Sequence, residues 1–290
     1  MAELLQGKPV AEFICRKMQK EVSELSSNGI TPTLAIIRVG QREDDMAYER
    51  SIEINCGRIG VNVRKYVFDT DITQDKLIDH IKMIDNNSAV HGVLIFRPLP
   101  PQFDDSAVCR AISAEKDVDG ITNRSLAGVF TGNAVGFAPC TAQACMEILD
   151  YYGIDPESKN TAIIGRSLVV GKPVSMLLLK KHATVTICHT KTKNVSSLCK
   201  KAEILIIAAG RPNTADKNYF SPGQVVIDVG INIDSNGKLC GDANFTDALE
   251  TVQSITPVPG GVGTVTTMVL AKHVVEAAKV SANQKYVVIS

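Results

Sequence analysis

The chain has no tryptophan, and aromatic residues make up only 5% of it. That leaves little ring surface for stacking against single-stranded nucleic acid. Neither sign of charge is in excess: 31 basic residues balance 31 acidic ones. A nucleic-acid partner or an acidic lipid surface therefore has no electrostatic support. Long apolar runs are missing too. The longest, near residues 204–209, is far too short to span a bilayer. The first turns of chain mix acids and bases without a long apolar stretch, so no secretory leader is expected. No CxxC pair occurs among Cys15, Cys56, Cys109, Cys140, Cys145, Cys188, Cys199 and Cys240. Scattered cysteines of this kind read as reduced thiols of a cytosolic protein. His80, His91, His182, His189 and His273 fall at no ligand spacing, and HExxH is absent, so no metal is expected. There is no G-x-S-x-G elbow for a serine hydrolase. No loop ends in Gly-Lys-Ser/Thr, so nucleotide hydrolysis has no support.

What is present is a globular composition: 290 residues, 44% hydrophobic and 21% charged. That length accommodates one large or two medium domains with buried cores. Apolar residues recur at helical spacing over 10–26, and Gly29 closes that segment. Strands are expected at 34–39, 61–68 and 89–96, with helices at 44–58 and 73–86 between them. Within the first of these helices Tyr48, Ile52 and Asn55 share a face. Pro98-Leu99-Pro100-Pro101 ends the third strand. A short helix near 106–111 leads to Lys116-Asp117-Val118-Asp119-Gly120. A helix at 142–151 follows. Further strands are expected at 161–164, 183–188, 204–208 and 225–228, with part of a helix at 198–201 and a helical tail at 266–278. Helices alternating with apolar strands predict an α/β fold with parallel sheets covered by helices.

Residues 161–179 organise the second half. They read TAIIGRSLVVGKPVSMLLL. A short apolar strand breaks at Gly165, a loop follows, and a helix opens near Lys172 or Pro173. Strand, glycine turn and helix make half of a dinucleotide-binding unit. Gly165 permits a tight turn, Gly171 close backbone approach, and Pro173 suits a first helical turn. Free N–H groups at the helix start could hold a phosphate. The spacing is G-x-x-x-x-x-G rather than G-x-G-x-x-G, so the same glycines also fit a plain helix-packing turn.

Ligands of a parallel sheet bind beyond the carboxyl ends of its strands. Four such ends carry polar or glycine-rich loops: Gly165-Arg166-Ser167, His189-Thr190-Lys191-Thr192, Ala209-Gly210-Arg211-Pro212 and Gly230-Ile231-Asn232. Together they predict a nucleotide cleft. An NAD site of the common type places an acid at the second strand end, for the ribose hydroxyls. Here that place holds His189, Thr190 and Lys191. Hydroxyls and cations there, with Arg166 nearby, suit a 2′-phosphate and favour NADP. His189 equally fits a structural strand-end residue. Asp117 and Asp119 equally fit a capping or surface turn.

Taken together, these motifs resemble the bifunctional methylenetetrahydrofolate dehydrogenase/cyclohydrolase family over essentially the full length. The matching pieces are Gly7-Lys8, Val39-Gly40, Tyr48, Pro98-Leu99-Pro100, Lys116-Asp117-Val118-Asp119-Gly120 and Pro139-Cys140-Thr141. Further along come Gly165-Arg166-Ser167, Val170-Gly171-Lys172-Pro173, His189-Thr190-Lys191-Thr192, Asp228-Val229-Gly230-Ile231-Asn232 and Gly241-Asp242. The longest is the glycine- and proline-rich run Thr256-Pro257-Val258-Pro259-Gly260-Gly261-Val262-Gly263. The resemblance implies two α/β domains around a cleft. An N-terminal catalytic, folate-type domain would span 1–138, joined by a C-terminal helix at about 266–290. A Rossmann-like NADP-binding domain would span 139–265. It implies oxidation of 5,10-methylenetetrahydrofolate with hydride transfer to the cofactor, usually followed by hydrolysis of the methenyl product. It also implies a homodimer acting in the cytoplasm or an organelle; the cytoplasm is expected here.

By the same resemblance, Tyr48 is the active-site tyrosine and Asp119 the aspartate that meets the pterin ring. Pro259, Gly260 and Gly261 line the substrate cleft. Gly165, Arg166, Ser167, His189, Thr190, Gly210 and Ile231 bind the cofactor. Two cleft positions depart from the family pattern: its lysine, four residues after the tyrosine, is Ile52, and its glutamine before Pro-Leu-Pro is Phe96. Asp44-Asp45 replaces a small Ala-Ser pair, Thr190 a serine and Thr264 a proline. Hydride transfer rests largely on positioning. Hydrolysis also needs proton movement, which an amine can supply and isoleucine cannot. Arg97 is expected on the opposite strand face and Arg50 off the Tyr48 helix face. Three readings follow: a dehydrogenase with weak or no hydrolase activity, a fully bifunctional enzyme, and a non-catalytic folate- or nucleotide-binding paralogue.

Overall fold

The structure, a computed structural model, describes residues 1–235 and 237–289. In chain order the elements begin with β1 (Glu3–Leu4), α1 (Gly7–Ser27), β2 (Thr33–Val39), α2 (Glu43–Ile59), β3 (Asn62–Phe68) and α3 (Gln74–Asp85). Next come β4 (Gly92–Ile95), α4 (Asp105–Cys109), α5 (Asn123–Thr131) and α6 (Cys140–Tyr151). Then follow β5 (Asn160–Ile164), α7 (Gly171–Lys180), β6 (Thr184–Cys188), α8 (Val195–Lys200), β7 (Ile204–Ile207) and β8 (Val225–Asp228). The chain closes with β9 (Asn232–Ile233), β10 (Leu239–Cys240), α9 (Phe245–Thr251), β11 (Ser254–Ile255) and α10 (Val262–Ile289). Among the described residues no helix is long and apolar enough to cross a membrane.

The chain divides into two compact units: residues 1–12 with 141–266, and residues 13–140 with 267 onward. The first unit holds a six-stranded sheet in the order β1-β11-β8-β7-β5-β6, with every pairing parallel. Its inner strands β7 (ILII) and β8 (VVID) are buried along their whole length, as strands with both faces covered must be. Ala162, Ile164, Leu205, Ile207, Phe220, Val226 and Ile255 share one core cluster. Strand order reverses at β5, with β6 on one side and β7 then β8 on the other. The carboxyl ends of β5 and β7 therefore form a topological switch point, where open α/β sheets take their ligands.

The second unit is built on a three-stranded parallel sheet, β3-β2-β4. Side chains alternate along central β2. Ala35, Ile37 and Val39 pack with Ile95 and with Leu77, Ile81 and Ile84 of α3. Leu34, Ile36 and Arg38 take the opposite face. Helix α2 buries one stripe, Glu49, Ile52, Cys56 and Ile59, and stops at Gly60 in the left-handed conformation.

Two differences from the sequence expectation concern boundaries. Residues 1–12 were expected in the N-terminal domain, yet Glu3 pairs with Ser254 and Leu4 with Ile255 in the six-stranded sheet. A two-residue strand carries no readable period. The strand expected at 89–96 shrinks to β4, because Ala89 and Val90 donate back to Asn87 in a turn.

Candidate active site

In the second unit, the loop after α4 carries two aspartates with different tasks. Asp117 is fully buried and accepts from Ile121 N at 3.0 Å, Thr122 N at 2.8 Å and Ser125 Oγ at 2.6 Å. It ties the loop to the start of α5, which Thr122 caps. Asp119 has no such backbone donors among the described residues. It is half-buried, and its pKa is pushed up to about 7. Enclosure of the carboxyl is the largest cause and the Asp117 charge adds to it, while Arg97 and the Cys140 thiol pull the other way.

Around Asp119 stand Tyr48 and Cys140. The Tyr48 hydroxyl is pushed well above its ordinary value by burial first, then by Asp119, Cys140 and Cys56. It stays a neutral hydroxyl at any working pH. The residue as a whole is nonetheless 37% exposed. That ring lies on Phe96, centroids 5.6 Å apart and planes tilted by 38°. Cys140 is buried, and its Sγ contacts the Val118 carbonyl at 3.2 Å. His273 of α10 donates from Nδ1 to that carbonyl at 2.8 Å and stacks on Phe137, centroids 4.8 Å apart. Together these contacts pin the backbone between the two aspartates.

Ile52 and Phe96, expected as cleft lining, are 0% and 5% exposed. Both side chains are packed away from solvent, and Phe96 is the one that lies against the Tyr48 ring. Ile52 follows Tyr48 by one helical turn, as its spacing requires. Arg50 is exposed. Arg97, expected to face away, is also exposed, yet its charge reaches Asp119 and Cys109.

In the first unit, all the strand-end loops singled out in the sequence lie on one edge, because every strand of the sheet runs the same way. Gly165 has φ +129°, and a Cβ there would stand 2.2 Å from the Ala208 carbonyl oxygen. A Cβ on Gly171 would stand 2.3 Å from the Gly165 carbonyl oxygen. Only glycine allows the β5 end, the β7 end and the start of α7 to approach so closely. Ser167 Oγ accepts from Val170 N at 3.1 Å and shapes the loop ahead of α7. Arg166, Ser167, Thr190, Gly210 and Ile231 are exposed on this edge. His189 Nδ1 accepts from Lys191 N at 3.2 Å, and its own N–H is held by Thr192 Oγ1 at 3.0 Å. These two bonds shape the turn after β6. Pro259 and Gly260 are exposed, whereas Gly261 is buried with no room for a Cβ beside the Pro257 carbonyl. Gly260 O accepts from Gly7 N at 2.7 Å.

Sequence reasoning took Asp228 and Asp242 only as pieces of the family pattern and missed their role as the carboxylates holding these loops. Asp242 accepts from Ala209 N at 2.6 Å, Gly210 N at 2.9 Å, Arg211 N at 2.9 Å and Asn232 Nδ2 at 2.8 Å. Asp228, at the end of β8, accepts from Gly230, Asp242 and Ala243 N–H groups at 2.9–3.0 Å. Burial pushes its pKa up to about 6 despite those donors. Nothing in a single sequence marks an aspartate that accepts from loops far along the chain. Among the described residues no group of three His, Cys, Asp or Glu is placed to hold a metal ion.

Comparison with known proteins matches both units. Residues 5–119 fit the tetrahydrofolate dehydrogenase/cyclohydrolase catalytic domain, and residues 139–282 fit the NAD(P)-binding domain of the same family. The chain is 47% identical to the bifunctional protein FolD of Clostridioides difficile (strain 630), covering 97% of this chain and 98% of that one. The crystal structure of the bifunctional FolD enzyme from Campylobacter jejuni superposes with a TM-score of 0.93 at 36% identity, covering 96% and 99%. That of Trypanosoma brucei, complexed with NADP and an inhibitor, gives 0.90 at 30% identity, covering 97% and 98%. With both family domains present in order and near-complete coverage of its relatives, the chain belongs to the tetrahydrofolate dehydrogenase/cyclohydrolase family.

Proposed function

We propose that this protein oxidises 5,10-methylenetetrahydrofolate to 5,10-methenyltetrahydrofolate with NADP, and that it adds little to hydrolysis of the methenyl product. Family membership supports the enzyme class and the folate substrate. The NAD(P)-binding domain and the NADP-bound relative support the cofactor. So does the cradle of Gly165 and Gly171 at the start of α7, a ten-residue helix whose free N–H groups suit a phosphate. Arg166, Ser167, Thr190, Gly210 and Ile231 would hold the cofactor, with His189 shaping the turn. Bound NADP supplies the hydride acceptor. Tyr48 offers a half-open ring for the substrate to lie against. Asp119 offers a carboxylate to the N–H groups of a pterin edge. Pro259, Gly260 and Gly261 belong to the same proposal as substrate-binding residues, on the family resemblance alone. A homodimer acting in the cytoplasm belongs to the same proposal, and sedimentation of the purified protein tests the dimer.

The observation that carries the weak-hydrolase reading is that Ile52 and Phe96 are both buried apolar side chains. By the family resemblance an amine and an amide would stand there. Here neither side chain can donate, accept or move a proton. Positioning for hydride transfer survives that loss better than water activation does. A second reading keeps both activities. It is favoured by Asp119, whose pKa near 7 suits proton transfer at neutral pH. The test follows reduced cofactor and methenyl decay separately at controlled pH. The expected result is NADP reduction with methenyl decay close to the spontaneous rate. Strong protein-dependent decay establishes the second reading. Absence of both activities with folate still bound makes the chain a non-catalytic paralogue.

A further inference from the structure

Strand β2 is wholly buried, and Arg38 is its only charged residue. A guanidinium taken out of water onto a sheet face must be paired. Arg38 Nε donates to Glu49 Oε2 at 3.2 Å, and its Nη1 donates to the Gly40 carbonyl. Glu49 is buried to the same degree. Lys65 of β3 approaches it to 3.5 Å and reaches Glu53, one turn on, at 2.9 Å.

Glu49 heads the buried stripe of α2, and none of residues 43–48 is buried. The ion pair therefore stands at the start of the buried stripe, and Tyr48 precedes it by one residue. Arg38 and Phe96 share the face that α2 covers: Ile37 pairs with Ile95, and Phe96 N extends the ladder to Ile37 O at 2.9 Å. The Tyr48 ring rests on that Phe96.

We propose that the Arg38–Glu49 pair sets the rotational register of α2, and so holds Tyr48 over Phe96 beside Asp119. Both are positioning residues, and the catalytic consequence rests on the function proposed above. A buried ion pair gives little stability over apolar side chains of similar volume; its best-attested use is to fix register. Apolar burial is non-directional. Ile52, Cys56 and Ile59 alone tolerate a helix rotated or slid on its sheet. A slip of one residue turns a side chain by about 100° and would carry Tyr48 off Phe96. A guanidinium forked between Glu49 and the Gly40 carbonyl accepts one geometry.

The test uses Arg38→Met and Glu49→Leu, singly and together, in the full chain. Glu49→Leu leaves the buried guanidinium without its carboxylate, Arg38→Met leaves Glu49 only the half-exposed Lys65 at 3.5 Å, and each is expected to lower Tm. The double variant removes both charges, and its Tm is expected to return toward the parent value. At recovered Tm, kcat/KM for the folate substrate is expected to stay down by about tenfold or more, with KM for NADP unchanged. Its crystal structure is expected to show the Tyr48 ring displaced from Phe96. A double variant with parental kcat/KM and Tyr48 in place overturns the proposal. If the double variant fails to fold, Arg38→Lys decides: it keeps the charge but loses the fork, and parental kcat/KM there also overturns the proposal. If the parent itself does not oxidise the folate substrate, the functional reading fails, and the position of Tyr48 in the variant still decides the register.

Discussion

Asp119 should make this protein less stable as pH rises, in proportion to how strongly its carboxyl resists ionisation. In the unfolded chain the group titrates near its ordinary 3.8, whereas in the fold it holds its proton up to about 7. Between those values the native state binds a proton that the unfolded state has lost, so unfolding free energy falls with pH. Three pH units at 1.36 kcal/mol each set an upper bound of about 4 kcal/mol. The bound is an upper one because the residue keeps some surface. Above pH 7 both states are ionised and the loss stops growing. Asp119→Asn keeps the shape and a neutral polar group, and lacks this titration. Urea midpoints of parent and variant, read at intervals from pH 4 to pH 8, are expected to coincide at the acid end. They should then separate, the variant becoming the more stable by up to several kcal/mol at pH 8. Asp228 also titrates with a raised pKa, but both proteins share it, so the difference isolates Asp119. A gap that is constant across the range, or that favours the parent as pH rises, refutes the reasoning. Folate affinity should move the opposite way. The carboxylate that accepts pterin N–H bonds forms only as pH passes about 7, so affinity is expected to rise there. Asp119→Asn should abolish that rise and leave NADP binding intact.

Three further outcomes are expected. Arg166→Ala should narrow the preference for NADP over NAD in titrations of both cofactors, and equal or tighter NAD binding by the parent contradicts the cofactor reading. Ile52→Lys with Phe96→Gln should raise methenyl hydrolysis more than either change alone, since adjoining positions couple; simple additivity or no gain would mean the missing pair is not the cause. Asp242→Asn places an amide against Ala209, Gly210 and Arg211 N–H groups. It should cost about 3 kcal/mol of stability in the first unit and weaken NADP binding, and an unchanged thermal midpoint would show that those bonds are dispensable.

Most elements were legible because long apolar periods announce themselves. The helix expected at 10–26 is α1, that at 44–58 is α2, and the strands at 161–164 and 204–208 are β5 and β7. What escaped was short or capped rather than periodic. Helix α5 is capped by Thr122, whose oxygen accepts from Ser125 N, and α9 by Asn244, whose oxygen accepts from Asp247 N. Both carry a polar cap residue ahead of the turn it serves, and reading caps before periods would have found them. Strands β1 and β11 exist only through each other and β8, two residues at a time. Their stability comes from tertiary pairing, which a single sequence does not display.

The site was legible in part for a different reason. Asp117 and Asp119 stand two residues apart in one motif, and spacing alone gives them equal claim to a chemical role. Their partners separate them. Asp117 accepts two backbone N–H bonds and a hydroxyl, so its charge is already satisfied by the loop it builds. Asp119 accepts no backbone bond among the described residues, and it carries the raised pKa that enclosure without donors produces. Asp242 repeats the first pattern, its oxygens filled by the loops it holds. A buried carboxylate whose acceptor sites are full is a strut. One that is enclosed, under-bonded and beside a half-open aromatic ring costs the fold stability, and a ligand that supplies the missing donors would recover it. On that ground Asp119 is the residue whose saturation by substrate should protect the second unit against unfolding, most strongly above pH 7, where the unligated charge is least favourable. Folate binding should therefore raise the Tm more at pH 8 than at pH 6, and a larger shift at pH 6 would place the ligand's donors elsewhere.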